Sequence, residues 1–184
     1  MKNGIRLHFD SILLYENKRY PTAHFVSVLS MEEVGKAIAL EFYVWNSKVN
    51  PRSDPKSQNE WLAVLLTDHR NKQLAFMRNV WHNSDAMKKL TESIQAKQLD
   101  TLKQNAMYVG ISKPQAGKAR TEGKIHTPER VIDKPKARRQ LLLVHEYLLE
   151  EAVDTGVHDK DHNLKSFKKI YGTGLKSRLE EVQL

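Results

Sequence analysis

Four side chains in the first half of the chain have the types and spacing for acid–base chemistry. Glu33 and Lys36 stand three residues apart, and His69 and Lys72 repeat that interval. Each pair interrupts a run whose other helical positions are apolar: Val26, Leu29 and Leu40 around the first, and Leu62, Leu65, Leu66 and Phe76 around the second. Residues three or four apart share a helix face, so both pairs point where core residues belong. An ion buried there without a partner would consume much of a small domain's stability. If the two helices pack antiparallel, Glu33, Lys36, His69 and Lys72 meet in one polar cluster. A histidine beside a carboxylate and two ammonium groups can act as general acid or base, with the lysines stabilising developing negative charge. The same set can equally be an ion-pair network that fixes helix register, and the residue pattern leaves both readings open.

A second arrangement, Arg139 and His145, lies late in the chain with five residues between its members. Six helical positions put two side chains about 120° apart, so only a bent or fraying helix joins them. Arg78 and His82, four apart, share a face, and a solvated helix surface explains them as well. No metal site is expected. The chain has no cysteine, the Glu-x-x-His pairs of carboxylate-bridged di-metal bundles are absent from these helices, and His69-Arg70-Asn71-Lys72 offers one good ligand. No cofactor cradle is evident either, since Gly172-Thr173-Gly174-Leu175-Lys176-Ser177 lacks the spacing of a phosphate-binding loop.

The elements that must position these residues read as helices throughout. Ile5, Phe9, Ile12, Leu13 and Tyr15 mark an amphipathic helix over residues 5 to 18. Tyr20-Pro21 opens a long apolar helix over 21 to 46, because proline at the first helical position forfeits no hydrogen bond. After the loop formers of residues 50 to 55, a third helix is predicted from Gln58 through Phe76. A fourth is predicted over 84 to 104, through Met87, Leu90, Ile94 and Leu99. Residues 105 to 133 read as an irregular excursion, rich in glycine and proline, with one short helical turn. A helix from Lys134 to Val153 follows, with Leu141, Val144, Leu148 and Val153 inward. The tail offers two short amphipathic pieces, one through Leu164, Phe167, Ile170 and Tyr171 and one through Leu175, Leu179 and Val182. The expected fold is all-α: one domain over 1–184, a bundle of about five main helices with short C-terminal helices.

Composition narrows the partners. A mean hydropathy of -0.60 and 28% charged residues suit a globular protein that folds unaided. Absent cysteines exclude a disulfide framework, zinc fingers and a cysteine nucleophile. The N-terminus lacks an apolar signal core and no 18-residue charge-free run occurs, which points to a cytoplasmic protein with no membrane partner. The net charge of +8 favours a polyanionic partner. Nine of the cations fall in residues 112 to 140 against three acids. Lys113, Lys118, Arg120, Lys124 and Arg138 are therefore the candidate contacts to a polyanion, and a merely solvated loop is the competing explanation.

Several of these stretches stand in a recognisable order: Ser30-Met31-Glu32-Glu33-Val34-Gly35-Lys36-Ala37, then His69-Arg70-Asn71-Lys72, then Lys103-Gln104-Asn105-Ala106-Met107-Tyr108-Val109. Together with Leu14, Tyr20 and Ala23, the chain from about residue 10 to 150 resembles the abortive-infection proteins of the AbiV type in the HEPN superfamily. The resemblance implies a HEPN helical bundle that usually dimerises, and a phage-defence protein that shuts down macromolecular synthesis. Many HEPN relatives are metal-independent RNases in which an arginine and a histidine, with four to six residues between them, act on the 2′-hydroxyl and the scissile phosphate. Glu33, Lys36, His69 and Lys72 fall on the family's polar positions, and Arg139 with His145 fits the RNase spacing. Gln140 follows Arg139 where those nucleases usually have Asn, Asp or His, so the Glu33/His69 cluster ranks first as catalytic site. The implied partners are RNA or the translation machinery, a phage protein as activator and a second copy of the chain. The alternative is a non-catalytic module that sequesters a phage protein or nucleic acid.

Overall fold

The computed structural model describes residues 1–50, 55–78, 85–111 and 125–154. The tail pieces between Leu164 and Val182, His82, and Lys113, Lys118, Arg120 and Lys124 lie outside them. The fold is all-α, a helical bundle. Helix α1 (Lys2–Glu16) and helix α2 (Tyr20–Val49) are joined by a tight turn in which Lys18 adopts φ 60°. Helices α3 (Pro55–Thr67), α4 (His69–Arg78), α5 (Asp85–Gln95) and α6 (Gln98–Asn105) follow. Two-residue strands β1 (Gly110–Ile111) and β2 (Ile125–His126) pair antiparallel, with Gly110 opposite His126. The chain then continues through α7 (Pro128–Val131) into α8 (Lys134–Asp154). No helix of the described residues is long and apolar enough to cross a membrane.

Two of the expected helices are divided. The predicted third helix breaks at Asp68, whose Oδ1 accepts from the backbone N–H groups of Arg70 at 2.7 Å and Asn71 at 3.3 Å. That is an N-cap, so a new helix begins at His69. The predicted fourth helix breaks where Lys97 takes a left-handed conformation, φ 58°. The excursion between α6 and α8 carries the expected helical turn, α7, and also the short strand pairing that alternation could not reveal in two residues.

Helix α2 is the centre of the bundle, packing against α1, α3, α4, α6, α7 and α8. Its buried face differs from the stripe expected from hydropathy. Glu33 and Lys36 are half-buried and Leu40 is exposed, whereas His24, Ser27, Val28, Met31, Glu32, Val34 and Ile38 face the interior. The reason is helix proximity. Ser30 Oγ donates to the Gly4 carbonyl at 2.7 Å, and Ser27 Oγ donates to that of Gln140 at 3.4 Å, so small hydroxyl side chains fill tight interhelical seams and satisfy themselves there. One core cluster gathers Val28, Met31, Ile38, Phe76 and Leu148, and a second gathers Ile12, Tyr15, Ala23, Ile132 and Leu141.

His8 and His24 are also interior. Burial pushes the His8 pKa from 6.5 to about 3, with His145 adding repulsion, and burial with nearby Lys136 pushes that of His24 to about 4. Both rings are therefore neutral in the folded protein at pH 6.5 and protonate more readily in the unfolded chain. Unfolded chains bind the extra protons, so stability falls as pH drops below 6.5 towards 4. Between pH 6.5 and 5.5 the loss is about 1 kcal/mol per histidine, about 2 kcal/mol for the two. Urea unfolding at the two pH values measures it. A His8→Gln, His24→Gln variant whose pH dependence matches the parent would contradict this assignment.

Candidate functional site

Gly35 sets the site by letting α4 lie directly on α2. A Cβ at that position would stand 2.0 Å from the Lys72 carbonyl oxygen. The close approach puts the first two turns of α4 beside Glu32, which is 3% exposed. Its Oε2 lies 2.8 Å from His69 Nδ1, and its Oε1 accepts from Gln73 Nε2 at 2.8 Å and Lys103 Nζ at 2.9 Å. His69 and Gln73 are four apart, so one face of α4 supplies both donors. Lys103, from α6, also lies 3.0 Å from Asp100 Oδ1.

Around this centre sits a second tier. Glu33 accepts from Asn3 Nδ2 at 3.0 Å and from Lys36 Nζ. Partial burial pushes its carboxyl up, but the hydrogen bonds from Lys36 and Asn3, with the charges of Lys36 and Lys72, bring it below the usual carboxylate range. Lys72 is buried, and burial lowers its pKa, an effect that Glu32 and Glu33 oppose and Lys36 and Lys103 reinforce. Glu32, Glu33 and Asp100 thus face Lys36, Lys72 and Lys103, a balanced set that can be withdrawn from water together. His69 is the remaining titratable member, with its side chain 49% exposed.

The structure places His69 on Glu32 rather than on Glu33. The expected four residues are neighbours, but their pairing differs: Glu33 and Lys36 bond to each other, His69 to Glu32, and Lys72 lies buried among the charges. Sequence reasoning missed Glu32, Gln73, Asp100 and Lys103. The available signal was Gly35, three residues after Glu32 and so on its side of the helix, where a missing side chain marks close packing and turns Glu32 rather than Glu33 inward.

The geometry has a definite chemical reading. A carboxylate only accepts, so the nitrogen facing Glu32 must carry hydrogen, and in a neutral ring Nε2 then keeps its lone pair. A half-exposed imidazole held in this tautomer can accept a proton from a bound hydroxyl. Donor atoms of Glu32, His69 and Asp100 also lie within 4.8 Å of one another, close enough to share a cation, but the Lys103 ammonium already contacts both carboxylates.

Arg139 and His145 are not brought together. Arg139 is exposed, whereas His145 is 3% exposed and packs on His8, with ring centroids 5.5 Å apart and Nδ1 3.3 Å from His8 Nε2. Their angular separation on a regular helix is the cause. Arg138 is half-buried on the same helix.

The class of protein is a small all-helical bundle whose central helix holds a buried carboxylate against a half-exposed histidine. The chain is a member of the HEPN_AbiV family: the family model, described as AbiV, matches residues 1–149. No curated protein and no solved structure gives a match.

Proposed function

We propose that this abortive-infection family member acts on RNA in phage defence, with Glu32 and His69 as a carboxylate–histidine dyad and Lys36 and Lys72 as the cations nearest the phosphate. The observation that supports this most is the half-exposed His69 ring fixed by a buried carboxylate at 2.8 Å. In the proposed reaction His69 Nε2 takes the proton of a ribose 2′-hydroxyl. The 2′-oxygen attacks the adjacent phosphorus, the bond to the 5′-oxygen breaks, the leaving oxygen takes up a proton from water, and His69 returns its proton to solvent. Products are a 2′,3′-cyclic phosphate and a 5′-hydroxyl end, without redox change or a required metal. RNA of the translation machinery as target, a phage protein as activator and a homodimer as working form belong to the same proposal, as do contacts from Lys113, Lys118, Arg120, Lys124 and Arg138.

Purified protein incubated with cellular RNA in EDTA tests it. Degradation should persist without divalent metal and fall roughly 100-fold or more in His69→Ala and Glu32→Gln, the scale of lost general acid–base catalysis. Arg139→Ala should retain activity. Intact RNA, or equal degradation by His69→Ala, would remove the dyad from the mechanism. Defence in a phage challenge that survives His69→Ala but fails on charge reversal within residues 112 to 140 would favour sequestration instead.

A further inference from the structure

In the proposed cleavage one proton transfer lacks a side chain, that to the departing 5′-oxygen. An alkoxide leaves phosphorus poorly unless a positioned acid protonates it. The site holds three ammonium groups, and two of them are engaged. Lys36 Nζ donates to Glu33, and Lys103 Nζ lies 2.9 Å from Glu32 Oε1 and 3.0 Å from Asp100 Oδ1. Either would have to break an ion pair before giving up a proton. Lys72 differs. It is 6% exposed, and among the described residues its ammonium has no hydrogen bond and no ion pair. The charges that act on it belong to both tiers, Glu32 and Lys103 in the buried centre and Lys36 and Glu33 at the half-open rim, so the ammonium lies between them.

Position and acidity both suit the missing role. Lys72 follows His69 by three residues, so the two share one face of α4, with Cβ atoms about 5–6 Å apart. In-line displacement puts the attacking and leaving oxygens on opposite sides of one phosphorus, and base and acid must each reach an oxygen within about 3 Å. Two side chains one helical turn apart can flank a phosphorus in this way. Burial lowers the Lys72 pKa, Glu32 and Glu33 oppose that shift, and Lys36 and Lys103 reinforce it. The ammonium is therefore a better proton donor near neutral pH than a solvated lysine, and donating the proton discharges a buried ion that no partner offsets.

We infer that Lys72 is the general acid of the cleavage, handing its proton to the 5′-oxygen as His69 takes that of the 2′-hydroxyl. The inference rests on the proposed action on RNA and adds a second catalytic residue to that site. In the step, an Nζ–H bond breaks as the proton bonds to the 5′-oxygen, and the electron pair of the breaking phosphorus–oxygen bond stays on that oxygen. The neutral amine then takes a proton from water, and the His69 imidazolium returns one to solvent. Water thus remains the net source of the proton, and Lys72 is its last carrier. Lys36, held by Glu33, keeps the part of a fixed charge beside the phosphate.

The test follows cleavage of two RNA oligonucleotides by the full chain in EDTA, identical except that one carries sulfur in place of the 5′-oxygen at the scissile linkage. A thiol has a pKa of about 8.5, so its thiolate departs without help from an acid. On the oxygen substrate Lys72→Met and Lys72→Arg should both lose roughly 100-fold or more, the scale of a lost general acid. Arginine keeps the charge but holds its proton at every working pH. On the sulfur substrate both variants should come within about threefold of the parent, a rescue that no misfolded variant can show. His69→Ala should stay slow on both, because attack by the 2′-oxygen still needs its base. Equal losses on the two substrates, or an arginine variant as active as the parent on the oxygen substrate, would overturn the general acid and leave the dyad standing. A parent chain that cleaves neither oligonucleotide and leaves cellular RNA intact would overturn the action on RNA, and the general acid with it.

Discussion

Replacing Gly35 with alanine should unfold much of this protein at temperatures where the parent is native. The added Cβ would meet the Lys72 carbonyl oxygen at 2.0 Å, its carbon at 2.9 Å and the Phe76 nitrogen at 3.1 Å. All three are backbone atoms, so no side-chain rotation relieves the contact. Helices α2 and α4 must move apart, and Phe76, fully buried with its ring 4.2 Å from that of Tyr147, loses packing as they do. Alanine would gain about 1 kcal/mol of helix propensity over glycine, which separation of two packed helices outweighs. The expected net loss is about 4 kcal/mol, a fall in Tm of about 10 °C or more for a chain of this size. Gly4→Ala is the control. Its Cβ would meet the Val34 Cγ2 at 2.6 Å but backbone atoms, the Ser30 carbonyl oxygen and the Val34 nitrogen, only at 3.2 Å, so the atom that must give most is a methyl, and the expected loss is smaller. Thermal unfolding followed by circular dichroism separates the two. A Gly35→Ala variant within about 2 °C of the parent would mean that α4 does not depend on this contact.

The same glycine explains why the fold was more legible than the site. Helix α2 announced itself through a long apolar run opened by Pro21, and α8 through Leu141, Val144 and Leu148, all of which are buried. Hydropathy then misplaced the inner face of α2. It follows large apolar side chains, whereas the face that packs most closely is made of Ser27, Ser30 and Gly35, whose small size is what permits the approach. A rotation of one residue exchanges Glu33 for Glu32, and with it the partner of His69. Breaks at Asp68 and Lys97 were likewise hidden, since one depends on a cap formed by a side chain and the other on a backbone angle that lysine rarely adopts. Lys103 could not be linked to Glu32 from spacing, because 71 residues separate them and only the return of α6 to the bundle joins them.

Removing Glu32 should cost nearly as much as the glycine change, for a different reason. The Glu32→Leu variant would leave the Lys103 ammonium, whose side chain is 5% exposed, with only the half-exposed Asp100 as counter-ion, and would strip Lys72 of its principal opposing charge. Breaking a buried pair from one side typically costs 3–5 kcal/mol, most of it the desolvation of the ion left behind. If that is the origin, Glu32→Leu combined with Lys103→Met should recover about half of the loss, the part owed to Lys103, because apolar replacement of both members of a buried pair is often neutral, while Lys72 and Gln73 still lack the carboxylate. Urea unfolding of the two single variants and the double variant forms a cycle, and the expected coupling is about 2 kcal/mol. Additive effects would show that Glu32 and Lys103 act independently. His69→Ala completes the comparison. Its ring is half in solvent, so its loss should lower stability by no more than about 1 kcal/mol while removing the proposed base. The network is then structural in Glu32, Gln73 and Lys103 and chemical at its exposed edge. The double variant sharpens that division: it should be more stable than Glu32→Leu yet inactive, since His69 would keep its exposure and lose the carboxylate that fixes its tautomer.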